Sequence, residues 1–226
     1  MMSNIKQNLI EAEQKALQLF ATLEERGLIC AGKTEEELND EVFQLAKELF
    51  GIEKYWHKRI IRAGRNTLLP YNENPPNLTL RDNEILFLDF GPIFDEWEAD
   101  FGRTYVIGND PVKLKLKNDL EPIWQECKAF YETKTSLTGA EYYAYVVSVS
   151  EKYGWKFGGQ MAGHIIGHFP HERLEKEIKD NYIHPENHTD MFGPDKSGKP
   201  REWILEIHLV DREREIGGFF EQLLSV

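Results

Sequence analysis

Four acidic residues interrupt runs that otherwise read as buried β-strands, and they constrain the fold more than any other feature of the chain. Asp89 lies near the end of "EILFLDFG" (84–91), Asp100 opens "DFGRTYVIG" (100–108), Glu206 breaks "EWILEIHLV" (202–210), and Glu221 breaks "GGFFEQLLSV" (217–226). A carboxylate on an apolar strand is costly to bury unless something compensates it. One such residue usually marks a satisfied polar group or a sheet edge. Four at matched places are better explained by a cation that offsets their repulsion.

The places are matched because the chain repeats its own design. Ile5, Leu9, Ala12, Ala16, Phe20 and Leu23 step by three and four along one helical face. A second helix begins at Thr34, with Glu37 placed for a capping box, continues through Leu38, Val42, Leu45 and Leu49, and stops at Gly51. Later, Leu116, Leu120, Ile123 and Cys127 mark a third helix. Thr138 and Glu141 form the next capping box, ahead of Tyr142, Val146, Val149 and Tyr153, with Gly154 closing. Trp56 precedes Ala63-Gly64 by seven residues, as Trp155 precedes Ala162-Gly163. Each half therefore reads helix, helix, extended segment, strand pair. That order predicts one domain over 1–226, with pseudo-repeats of about 1–108 and 109–226, a shared sheet covered by helices, and a site at the seam. The stretch from Asn181 to Pro200 reads as a loop on the second half.

A formal net charge of −12 argues against a phosphate-binding surface, so no nucleic-acid partner is expected. No apolar run approaches membrane-spanning length, so no membrane association is expected either. Cys30 and Cys127 are too few for a disulfide framework, and a cytoplasmic location is the default expectation.

"GHIIGHFPHE" (163–172) supplies imidazoles. His164 and His168 have the spacing of a helical His-Glu-x-x-His zinc motif. Position 165, however, is Ile, and Gly167 and Pro170 would break a helix. An extended segment that bends is expected instead. One such nitrogen added to four carboxylates gives an oxygen-rich sphere suited to Mn, Fe(II), Co or Zn. Two ions about 3.5–4 Å apart, bridged by carboxylates, could activate a water and clamp a carbonyl oxygen.

With these motifs assembled, the chain resembles the pita-bread metallopeptidases, the family of methionine aminopeptidase, aminopeptidase P and prolidase. The residues that carry the resemblance are Asp89-x10-Asp100 with Arg103-Thr104 after it, Gly163-His164-x2-Gly167-x3-His171-Glu172, Glu206, and Gly217-Gly218-x2-Glu221. In style they are closest to the aminopeptidase P and prolidase branch, with the catalytic domain alone expected here. The resemblance implies an α+β pita-bread fold, a curved antiparallel sheet covered by helices in two pseudo-symmetric halves. It implies two divalent metal ions, Mn foremost with Co, Fe or Zn as alternatives. Asp89, Asp100, His164, Glu206 and Glu221 would be their ligands, Glu206 the proton acceptor, and His171 the support of the developing oxyanion. The implied activity is an aminopeptidase or dipeptidase of the Xaa-Pro type, cleaving next to a free N-terminus. A homodimer is implied because relatives dimerise.

Three departures accompany the match. The first-half histidine expected after Gly64-Arg65-Asn66 is replaced by Pro70 or Tyr71, and His57 is near in sequence but not at the matching position. The arginine that proline-specific relatives carry two residues before the last glutamate is Phe219 here. Fifteen residues separate Glu206 from Glu221, fewer than the resemblance leads one to expect. Tyr71, His57 and His208, the last sharing a strand face with Glu206, are carried as substrate-binding candidates, and His168 as an exposed side chain. The rival readings are a hydrolase of a small non-peptide amide on the same fold and a non-catalytic peptide-binding module.

Overall fold

The computed structural model of the protein describes residues 4–69, 71–170, 179–196 and 198–225. His171, Glu172, Pro70 and Val226 lie outside the described residues. The first half contains α1 (Asn4–Glu25), α2 (Glu35–Phe50), β1 (Ile60–Ala63), β2 (Ile85–Phe90), the short pair β3 (Ile93–Phe94) and β4 (Trp97–Glu98), and β5 (Phe101–Val106). The second contains α3 (Pro111–Glu132), α4 (Gly139–Lys152), β6 (Lys156–Phe157), β7 (Ile165–Ile166), β8 (Glu202–Asp211) and β9 (Ile216–Leu223).

Local chemistry sets the helix starts. Thr34 and Thr138 each accept a hydrogen bond from the backbone N–H three residues on. Glu37 and Glu141 reach back to the capping residue, so both expected capping boxes form. Asp110 caps α3 through the N–H groups of Val112 and Lys113, with Pro111 in the first turn, where its missing N–H does no harm. Among the described residues no helix is long and apolar enough to cross a membrane.

Among the described residues β1, β2, β5, β9, β8 and β6 form one antiparallel sheet in that order, with β7 pairing to β8, while β3 and β4 form a separate two-stranded sheet. Alternation along the strands sorts their side chains between two faces. Leu86, Leu88, Phe90, Phe101 and Tyr105 join Ala16, Phe20, Leu38 and Val42 in a core beneath α1 and α2. Leu205, Ile207, Leu209 and Phe220 join Leu120, Trp124, Tyr142 and Val146 in a core beneath α3 and α4. The Trp124 indole N–H donates to the Leu205 carbonyl at 3.0 Å, tying α3 to the middle of β8. The helices thus cover one face, and Asp89, Glu206 and Glu221 point to the other.

The halves meet where β5 lies against β9, and there only Gly102 and Glu221 are in paired register. Side chains complete the join. The Thr104 hydroxyl donates to the Phe219 carbonyl at 2.8 Å and accepts the Phe219 N–H at 2.7 Å. Arg103 donates to the Glu221 carbonyl at 2.8 Å, its guanidinium held between the rings of Phe101 and Phe220.

Gly163 decides how the His164 segment lies on β8. Its φ is 137°, and a Cβ there would sit 2.0 Å from the Ile204 carbonyl oxygen. On either side of it, the Ile204 N–H donates to the His164 carbonyl and the Glu206 N–H to the Ala162 carbonyl. Gly163→Ala is therefore expected to lose at least about 2 kcal/mol of stability, from strain and backbone collision together. Gly154→Ala, at a positive φ but in open space, should lose only about 1 kcal/mol. Urea unfolding of the two variants side by side checks the ranking, and equal losses would refute the collision.

Candidate metal centre

Strand register gathers the carboxylates. Asp89 on β2 is paired with Gly102 on β5, Gly102 with Glu221 on β9, and Glu221 with Glu206 on β8. One cross-strand row therefore carries Asp, Gly, Glu and Glu across the four central strands. The fifteen-residue spacing that looks short along the chain is what a β8–β9 hairpin needs to set the two glutamates opposite each other. Asp100, two residues before Gly102, enters the same cluster from the approach to β5.

Two histidines close on Asp100 from opposite sides. His164 Nε2 lies 3.1 Å from Asp100 Oδ2 and 3.7 Å from Glu206 Oε1. His57 Nε2 lies 3.0 Å from Asp100 Oδ1 and 3.6 Å from Asp89 Oδ1. Each imidazole places Nδ1 2.7 Å from the carbonyl of the next residue, Ile165 or Lys58. A carbonyl only accepts, so both Nδ1 atoms carry the proton and both Nε2 atoms face the carboxylates. The ligand atoms of Asp100, His164 and Glu221 lie within 4.8 Å of one another, as do those of His57, Asp89 and Asp100.

The charge balance of this cluster is unfavourable without cations. Burial, then repulsion from Asp100, Asp89 and Glu206, pushes the Glu221 carboxyl well above its ordinary range. Burial likewise raises Asp89 and Glu206 despite the histidines beside them. Burial works against charge on His57 and His164, but the neighbouring carboxylates outweigh it and hold both pKa values at about 9. Burial would also raise Asp100, but its two imidazole partners hold it low. Glu221 Oε2 is buried with no hydrogen-bond partner. Such an atom needs a donor or a cation. Oxygen and nitrogen ligands at about 2.0–2.2 Å from an ion, at 90–109° to one another, stand about 2.8–3.6 Å apart. The four histidine–carboxylate separations fall within or at the edge of that span, so the residues present fit divalent metal ions.

Of the other candidates, Tyr71 is exposed at the rim. Its hydroxyl accepts the Lys58 N–H at 3.3 Å, and its ring lies 5.8 Å from that of His57. His208 is buried on the same sheet face as Glu206, but its Nε2 bonds to the Thr67 carbonyl at 2.8 Å and its ring packs against the paired rings of Phe87 and Phe219. His168 is half exposed against Trp97 and Glu96. Trp56 was not among the expected site residues. Its ring sits 4.4 Å from His57 and 5.2 Å from His164, and its indole N–H donates to the Ala99 carbonyl at 3.1 Å. The only sequence signal for it was its repeat partner, Trp155.

The chain belongs to metallopeptidase family M24, whose profile matches residues 7–194. It is 27% identical over 150 residues to an Xaa-Pro dipeptidase of Pyrococcus horikoshii, covering 66% of this chain and 40% of that protein. An Xaa-Pro dipeptidase of Pyrococcus furiosus is 26% identical over 164 residues, 70% of this chain and 44% of its own length. The chain thus spans less than half the length of these two relatives. Among solved structures, it is similar to a prolidase from Thermococcus sibiricus (TM-score 0.69, 21% identity, 95% of this chain and 55% of that one). It is also similar to a methionine aminopeptidase from Thermotoga maritima (TM-score 0.65, 18% identity, 96% of this chain and 92% of that one). The fold is the α+β pita-bread fold, as the sequence motifs imply.

Metal-free protein should lose stability as pH rises. Asp89, Glu206, Glu221, His57 and His164 all have folded pKa values above their unfolded ones. Between about pH 5 and pH 9 the folded chain therefore holds more protons than the unfolded chain, and the slope of stability against pH is negative. Asp100 and His208, both shifted down, act in the opposite sense, Asp100 only below about pH 4 and His208 below about pH 6.5, where the five raised groups outnumber it. Thermal melts of chelator-treated protein should show a lower Tm at about pH 8.5 than at about pH 6. Added Mn(II) should restore more at the higher pH, where fewer protons must leave. A chelated Tm that climbs across this range would contradict the clustering.

Proposed function

We propose that the chain is a dinuclear metal-dependent hydrolase, an aminopeptidase or dipeptidase of the Xaa-Pro type cleaving next to a free N-terminus. The observation that carries the reading is the cross-strand row of carboxylates, flanked by Asp100 and His164 and leaving Glu221 Oε2 buried without a partner. Its support from kinship is the M24 family and the similarity to Xaa-Pro dipeptidases.

Asp89 would contribute to one metal position, His164 and Glu206 to the other, and Asp100 and Glu221 to both. Bound ions, Mn foremost, would supply Lewis acidity and a water whose pKa falls into the neutral range. Glu206 would be the proton acceptor; its side chain is 15% exposed, and burial already raises its proton affinity. His171 is proposed to steady the developing oxyanion. The acidic walls would attract the α-ammonium group of a peptide with a free N-terminus. A homodimer and a cytoplasmic setting, consistent with two unpaired cysteines, are part of the same proposal, as is a single catalytic unit over 1–226.

One observation favours a second substrate class. Phe219, where proline-specific relatives carry arginine, packs with Phe87 and Ile60 into an apolar wall beside Glu221. Those three side chains carry no charge to pair with a dipeptide's terminal carboxylate. Amides with an uncharged group on that side, including small non-peptide amides, would suit them better.

Metal analysis of chelator-washed, Mn(II)-reloaded protein should give close to two ions per chain, and fewer in Glu221→Ala. The reloaded protein should hydrolyse Xaa-Pro substrates, and Glu206→Gln should slow turnover by about 10²–10⁴-fold. Peptides blocked at the N-terminus should not be cut. Wild-type protein without metal above background would end the hydrolase reading.

A further inference from the structure

We propose that His57 is a protein ligand of this centre, completing the position begun by Asp89 and one oxygen of Asp100, so that each metal position receives one imidazole. The proposal rests on the metal-centre reading above and adds a residue that the family resemblance does not supply.

His57 and His164 are held alike. In both, Nδ1–H is spent on the following residue's carbonyl, which fixes the tautomer and aims Nε2 inward, as ligating histidines are commonly oriented. Each Nε2 then takes one oxygen of the same carboxylate, His57 facing Asp100 Oδ1 and His164 facing Oδ2. A carboxylate shared in this way by two inward-facing imidazoles is what a bridge between two ions would present. The 3.6 Å from His57 Nε2 to Asp89 Oδ1 gives the first position its third donor.

The surroundings are shaped to keep His57 there. Its side chain is 8% exposed. The segment carrying it pairs with the strand end after Asp89. The Trp56 N–H donates to the Gly91 carbonyl at 3.0 Å, and the Ile93 N–H to the Lys54 carbonyl at 3.2 Å. At Gly91 a Cβ would lie 2.2 Å from His57 Cδ2 and 2.3 Å from Trp56 Nε1, so only glycine leaves the imidazole its place. The Trp56 ring meets the imidazole edge to face, with centroids 4.4 Å apart. Two imidazoles in the donor set, one per position, would also shift preference from Mn toward Fe(II), Co or Zn.

The Co(II)-loaded protein tests this directly by proton NMR. An imidazole bound through Nε2 shows its Nδ1–H as an exchangeable signal displaced far outside the normal range by the paramagnetic ion. Wild-type protein should show two such signals, with one lost in His57→Gln and the other in His164→Gln. Metal analysis should fall from two ions to about one in His57→Gln. Should the variant fail to fold, the wild-type count still decides. A single displaced signal from protein holding two ions would overturn the His57 assignment and leave the hydrolase reading standing. Protein that binds no Co(II) would overturn both.

Discussion

Mutual repulsion among buried carboxylates is the constraint around which this structure is arranged. Asp89, Glu221 and Glu206 stand in one cross-strand row, with Asp100 beside it. No arrangement of apolar neighbours relieves that charge; protons or cations must. The helix-covered face of the sheet supplies the burial that holds the strands together, which leaves the opposite face free to carry groups that oppose folding. A sheet packed on both sides by apolar layers could not carry this row, and a sheet without its helices could not hold it.

Much of this was legible in the chain. Helix faces repeat every three or four residues, capping boxes are local, and the Thr34/Glu37 and Thr138/Glu141 boxes form as their spacing implies. Asp89, Asp100, Glu206 and Glu221 stood out because each breaks an apolar run, and such a break is visible without knowing which strands pair. What the chain did not reveal depends on pairing. The nearness of Glu206 and Glu221 follows from hairpin register, so fifteen residues of separation looked like a deficit. His57 stayed a peripheral candidate because its position follows from the bond between Trp56 and Gly91, thirty-five residues apart, and from the missing side chain of Gly91. His208 illustrates the converse. It shares a strand face with Glu206, yet a hydrogen bond to the Thr67 carbonyl and two adjacent phenylalanines turn it to packing.

The seam explains a second part of the pattern. Between β5 and β9 only one residue pair is in register, too little backbone bonding to fix two halves at the precision a metal centre needs. Thr104 makes good part of that loss by donating to and accepting from Phe219, and Arg103 by reaching the Glu221 carbonyl from the helix side. The Arg-Thr pair that follows Asp100 in the sequence thus has a structural task, holding the strand that presents Glu221. It needs no direct part in chemistry.

Phe219 joins the seam to the question of substrate. Its backbone is gripped by Thr104, so its ring cannot move far from its place beside Glu221. That ring rests against Phe87 from the first half and faces His208 on the neighbouring strand of the second. The carboxylate row therefore lies beside a second cross-strand row, in which Phe219 stands opposite His208, and Phe87 opposite Thr104 on one side and Arg62 on the other. A ligand spanning both would place a cationic or polar end toward the carboxylates and an uncharged one toward Phe219. This polarity comes from the same strand register that gathers the carboxylates, since Phe219 and Glu221, two residues apart on β9, must share a face. The carboxylate row and the apolar wall are in this sense one consequence of how β9 is set against β5.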